Sequence, residues 1–107
     1  MADVMVTRLE GLLAKGQDSA LLRFGLGSAY FNHKNYEQAV VHLTVCIEQA
    51  PDHSAAWKLL GRSYQTLGQK DDAQQAFDQG LQVAQANGDK QVEREILVFI
   101  KKLNKSA

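Results

Sequence analysis

A single cysteine, Cys46, and a single proline, Pro51, serve the whole chain of 107 residues. One thiol allows no intramolecular disulfide, which fits a reducing compartment. One proline and eight glycines are too few breakers for a linker-rich or disordered protein. Neither sign of charge is in excess, since 12 basic residues balance 12 acidic ones. A nucleic-acid binder ordinarily carries a basic surplus, so no nucleic-acid partner is expected. No stretch approaches the roughly 18 consecutive apolar residues that span a bilayer. The longest apolar run, Ile96 to Ile100, lies inside a charged segment. Met1 to Arg8 shows no basic start leading into an apolar run, so no secretory leader is expected. The expectation is a cytoplasmic protein with no membrane partner.

Chemistry-bearing constellations are also scarce. His33, His42 and His53 are scattered, with no pair at i, i+4, and Cys46 belongs to no Cys-x-x-Cys. No metal site follows from these spacings. His33 reads as a turn residue, His53 as a linker residue, and His42 falls on the variable face of its helix. Cys46 sits in a small-residue slot and reads as a buried structural thiol. Asp71-Asp72 is a helix start, not an acid/base pair. No glycine-rich phosphate loop follows a strand, because no segment alternates apolar and polar residues with period two. The chain is expected to need no cofactor and to be no enzyme.

What is present is helix, six times over. Asp3 is a candidate cap for a first helix to about Lys15, with Val6, Leu9, Leu12 and Leu13 on one stripe. Asp18 and Ser19 offer caps for a second over Ala20 to Asn32, and a third runs from Tyr36 to Gln49. Pro51 breaks the chain there. Asp52 or Ser54 is expected to cap a fourth, about Ala55 to Leu67, which Gly68 ends. A fifth covers about Lys70 to Ala86, and Asp89 caps a sixth to about Asn104. Turns this short force antiparallel neighbours.

The helices are also periodic. Leu26-Gly27-x-x-Tyr30 returns 34 residues later as Leu60-Gly61-x-x-Tyr64. Ala39 returns as Ala73, Leu43 as Phe77 and Ala50 as Ala84. A fixed period in this range marks stacked supersecondary units, none of which buries its apolar face alone. Glycine inside a helix costs about 1 kcal/mol relative to alanine. Gly27 and Gly61 therefore imply a closely approaching partner helix, with Ala39 and Ala73 as its expected contact surface. Tyr30 and Tyr64 are long enough to reach the next hairpin.

Ala56-Trp57-x-x-Leu60-Gly61-x-x-Tyr64, followed by Ala73-x-x-x-Phe77, resembles the tetratricopeptide repeat (TPR) signature. Asn35-Tyr36-Glu37-Gln38-Ala39 and Ala50-Pro51 belong to the same pattern. Arg23 stands where the family usually has Trp, Gly80 replaces its Ala, and no Pro closes the second repeat. The layout resembles small bacterial members of the family. The resemblance implies an all-α, right-handed α-solenoid of about six antiparallel helices in one domain, 1–107. Its parts would be an N-terminal helix (1–18), repeat 1 (20–53), repeat 2 (54–87) and a C-terminal capping helix (88–107).

In that family the first helix of each hairpin lines a concave face. The resemblance places Leu21, Phe24, Ser28, Phe31 and Asn32 there from repeat 1, and Ala55, Lys58, Arg62, Gln65 and Thr66 from repeat 2. These positions lie off the stripe of Leu26, Tyr30, Trp57, Leu60 and Tyr64. Phe24 and Phe31 beside Lys58 and Arg62 suit a peptide with apolar anchors and an acidic group. The expected activity is that of a protein-binding adaptor or scaffold, its groove formed by Phe24, Ser28, Phe31, Asn32, Lys58, Arg62 and Gln65. Some members grip a terminal carboxylate with Lys, Arg and Asn residues across three hairpins. Here Phe24 and Ser28 take two of those places, and Asp89 and Glu93 are acidic, so that mode is not expected. The last helix carries Val92, Ile96, Phe99, Ile100 and Leu103 on one stripe, widened by Leu97 and Val98. It reads as a cap, with self-association into a homo-dimer as the alternative.

Overall fold

The structure, a computed structural model, describes residues 4–105. They form α1 (Val4–Ala14), α2 (Ala20–Asn32), α3 (Tyr36–Gln49), α4 (Ser54–Thr66), α5 (Lys70–Asn87) and α6 (Lys90–Lys105). No strand occurs among the described residues. Each helix packs on the next, and α4 also touches both α2 and α6.

Side-chain caps start four of the helices. Ser19 Oγ accepts from the Leu22 N–H, Asn35 Oδ1 from Gln38, and Asp89 Oδ1 from Val92. For α4 the expected caps, Asp52 and Ser54, are both wrong. His53 Nδ1 accepts from the Ala56 N–H at 3.2 Å, while Ser54 lies inside the helix and its Oγ donates to Asp89 Oδ2. A neutral imidazole nitrogen offers the lone pair that the exposed first-turn N–H needs. The Asp3 cap falls outside the described residues.

Leu26, Leu43, Phe77 and Ile96 have no exposed surface, and each such side chain contributes on the order of 1.5–3 kcal/mol through burial. Gly27 and Gly61 are pressed against large residues, not the alanines expected. A methyl group added at Gly27 would stand 2.6 Å from Leu43 Cγ, and Gly61 is covered in the same way by Phe77. Ala39 and Ala73 are fully buried, but the close approach is made four residues further along their helices. Tyr30 does reach across: its hydroxyl donates to Glu10 Oε2 of α1 at 2.7 Å.

The repeat register continues into both end helices. Leu22 and Leu26 of α2 correspond to Ala56 and Leu60 of α4, and all four are buried. The caps Ser19 and His53 are 34 residues apart, whereas His53 and Asp89 are 36 apart. The lag is a net one: α5, at 18 residues, is four longer than the 14-residue α3, running on to Asn87 and closing on a left-handed Gly88, while the turn that follows is two residues shorter. With that offset the buried pair in α6 is Val92 and Ile96.

Candidate functional site

The helices α2, α4 and α6 stand side by side, and their lateral contacts form the candidate binding face. At its centre the Arg62 guanidinium lies 4.8 Å from the Phe31 ring centroid and 4.9 Å from that of Phe99. One residue from each helix thus builds an aromatic–cation–aromatic stack, each contact worth about 0.5–1 kcal/mol. The guanidinium carbon lies over both rings, and no hydrogen-bond acceptor among the described residues engages the Arg62 N–H groups. Arginine is a five-donor planar fork, suited to a carboxylate.

Lys58, one turn earlier on α4, donates to Glu95 Oε1 of α6 at 2.8 Å. That bond holds the Glu95 carboxyl below its ordinary range. Phe24 packs on His53 with ring centroids 4.5 Å apart, and Phe31 meets Tyr36 edge-on at 5.3 Å. Ser28 is half-buried and Asn32 is exposed. Gln65 lines a separate depression of about 260 Å³ with Gly68, Lys70 and Leu103. Leu21, 81% exposed, lines a cavity at the α1–α2 turn, Ala55 is half-buried, and exposed Thr66 donates to the Arg62 carbonyl. The structure therefore brings Phe31 and Arg62 together and sets Gln65 apart.

Sequence reasoning missed the share of α6. Glu95 and Phe99 reach Lys58 and Arg62, a pairing hidden in the sequence because α6 follows the repeat with a two-residue offset. Asp89 and Glu93, weighed as groove positions, do other work. Asp89 caps α6, and Glu93 accepts from Gln85 and pairs with Lys90. With the two-residue offset, Arg94 and Val98 hold the register of Lys58 and Arg62.

A polar seam joining α1, α2 and α3 was also missed. His42, assigned to a variable face, is only 4% exposed. Its ring stacks on Tyr30 with centroids 5.5 Å apart, and its Nδ1 lies 3.1 Å from Arg23 Nη1. Arginine only donates, so Nδ1 holds the lone pair and the proton sits on Nε2, 4.0 Å from Glu10 Oε2. Arg23 also makes two bonds to Asp18, which accepts from Gln49 as well, and these bonds pull the Asp18 carboxyl down to about 2. Glu10 pushes the Tyr30 hydroxyl up to about 12. The signal for this seam was Arg23 itself, a charge where the repeat pattern places Trp. Cys46 is buried, with its thiol donating to the Ala20 carbonyl, and burial pushes its pKa up.

A profile of the tetratricopeptide repeat family matches residues 33–92. The chain belongs to the TPR family. It is 50% identical over 103 residues to a TPR repeat-containing protein of Pseudomonas aeruginosa, covering 96% of this chain and 98% of that one. A protein of Bordetella parapertussis, solved in solution, superposes with a TM-score of 0.84 at 41% identity, covering 98% of this chain and 90% of the other. A tetratricopeptide repeat domain protein of Salinibacter ruber superposes with a TM-score of 0.78 at 24% identity, over 84% of this chain and all of the other, and shares the fold. TPR domains generally serve protein–protein contacts, and the α-solenoid expected from the repeats is the fold found here. Among the described residues no helix is long and apolar enough to cross a membrane, and no group of His, Cys, Asp and Glu could hold a metal.

Proposed function

We propose that this TPR protein is a non-enzymatic, cytoplasmic adaptor that holds a peptide or protein segment on the face of α2, α4 and α6. The repeat boundaries at 20–53 and 54–87 belong to this reading, each hairpin contributing one lining helix. The observation that carries it is the Phe31–Arg62–Phe99 stack. Three helices position one arginine whose N–H donors have no acceptor among the described residues. Lys58 is less available, because Glu95 already takes its charge. The segment that fits combines an acidic group for Arg62 with an apolar anchor beside Phe24 and Phe31.

The test is a peptide array presenting Asp and Glu beside aromatic and aliphatic residues. Acidic-apolar peptides should be retained by the parent protein. Phe24→Ala and Arg62→Glu should each lose them, with the helical circular dichroism unchanged. Equal retention by both variants would rule out this face.

Self-association is the second reading, favoured by Leu97 and Val98, which stand 48% and 51% exposed on α6.

A further inference from the structure

Two rungs, one turn apart, join α4 to α6 across the candidate face. In one, Arg62 reaches the Phe99 ring; in the other, Lys58 Nζ donates to Glu95 Oε1 at 2.8 Å. All four side chains are half-buried.

The rungs differ in what they leave for a ligand. Arg62 is a cation set on rings, and its N–H groups engage no hydrogen-bond acceptor among the described residues. Lys58 already holds a carboxylate, the chain's own. The Lys58 hydrogen bond and charge, a bond from Gln91 and the Arg62 charge together hold the Glu95 carboxyl below its ordinary range, so it stays ionised at neutral pH. A ligand carboxylate aimed at Arg62 meets attraction. A second one aimed at Lys58 meets Glu95, and like charges at that range repel.

Resting on the adaptor reading, we propose that Glu95 determines the specificity of this face: by occupying Lys58 it confines the ligand to a carboxylate seated at Arg62 and turns away segments that direct a second one at Lys58. The spacing gives such segments a definite form. Side chains one helical turn apart have Cβ atoms about 5–6 Å apart. In an extended peptide, residues i and i+2 share a face about 6.5–7 Å apart. An Asp-x-Asp segment therefore spans the two cations, and Glu95 is what stands against it.

Short peptides blocked at both ends, carrying Phe, Leu and a single Asp, test this beside partners with a second Asp two residues before or after the first. Fluorescence anisotropy at low ionic strength, where such pairs are least screened, gives the affinities. The parent protein should bind the single-Asp peptides. In Glu95→Gln, one placement of the second Asp should tighten binding by about two- to fivefold, the worth of a partly exposed ion pair, and the same placement should bring no gain on the parent. Lys102 also approaches Phe99, at 5.9 Å from the ring centroid, so a second variant tells the two lysines apart. Lys58→Met combined with Glu95→Gln should lose the gain. Glutamine keeps the shape of Glu95, and circular dichroism checks that the helices are intact. Equal ratios for the parent and Glu95→Gln, or a gain that survives the loss of Lys58, overturn the role of Glu95 and leave the adaptor reading standing. Binding of no acidic peptide by the parent or either variant overturns both.

Discussion

Gly61 lies against the ring of Phe77 so closely that a methyl group on it would stand 2.5 Å from both Cδ1 and Cε1. The ring is fully buried. Alanine in a helix interior gains about 1 kcal/mol over glycine, but overpacking a core costs about 1–3 kcal/mol. Gly61→Ala should therefore destabilise the fold by up to about 2 kcal/mol. Gly11 is the control: it lies within α1 with no atom near its added methyl, so Gly11→Ala should stabilise by up to about 1 kcal/mol. Urea midpoints of the two variants should move in opposite directions. A Gly61→Ala midpoint at or above the parent's would show that the ring yields.

Lys34 and Gly68 are register mates, and both adopt left-handed backbone, at φ 63° and 79°. Glycine holds that conformation without strain, whereas a residue with a Cβ loses on the order of 1 kcal/mol. Lys34 is exposed, so its side chain has little packing to lose. Lys34→Gly should stabilise by about 0.5–1 kcal/mol, the gain reduced by glycine's freedom in the unfolded chain. Thermal unfolding checks it, and a lower melting temperature would mean that the Lys34 side chain contributes more than the strain costs.

His42 should make stability depend on pH. Burial lowers its pKa below the ordinary 6.5, and the Arg23 charge pushes the same way, while Glu10 and Asp18 oppose them. The folded protein then binds fewer protons than the unfolded chain. The His42 contribution is complete above about pH 6.5 and is lost as the pH falls through the depressed pKa. Protonation would also turn the Nδ1 acceptor into a donor facing Arg23. Urea unfolding from pH 7 towards about 5 should show stability declining in the parent protein. His42→Gln, which keeps an acceptor but does not titrate, should show a smaller decline. Equal slopes for the two proteins would remove His42 as the cause.

The helix ends of α2 and α3 were readable to the residue, because Ser19, Asn35 and Pro51 act within one turn of where they stand. The buried stripe was readable too, since Leu26, Leu60, Leu43 and Phe77 recur at a fixed spacing. His53 was passed over as a cap because imidazole does that work less often than Asp or Ser. His42 was misplaced because its helix phase lies off the repeated stripe, and what buries it, Tyr30 and Arg23, comes from another helix.

Residue order alone determined that this chain is a stack of helical hairpins, because turns, caps and a 34-residue apolar period are local properties that each hairpin repeats. Only the packed molecule decided which side chains meet across helices. The stack of Phe31, Arg62 and Phe99 and the Lys58–Glu95 bond both involve a helix, α6, that starts two residues late. On a helix, two residues turn a side chain by about 200°. A shift too small to disturb the repeat is large enough to choose the neighbours.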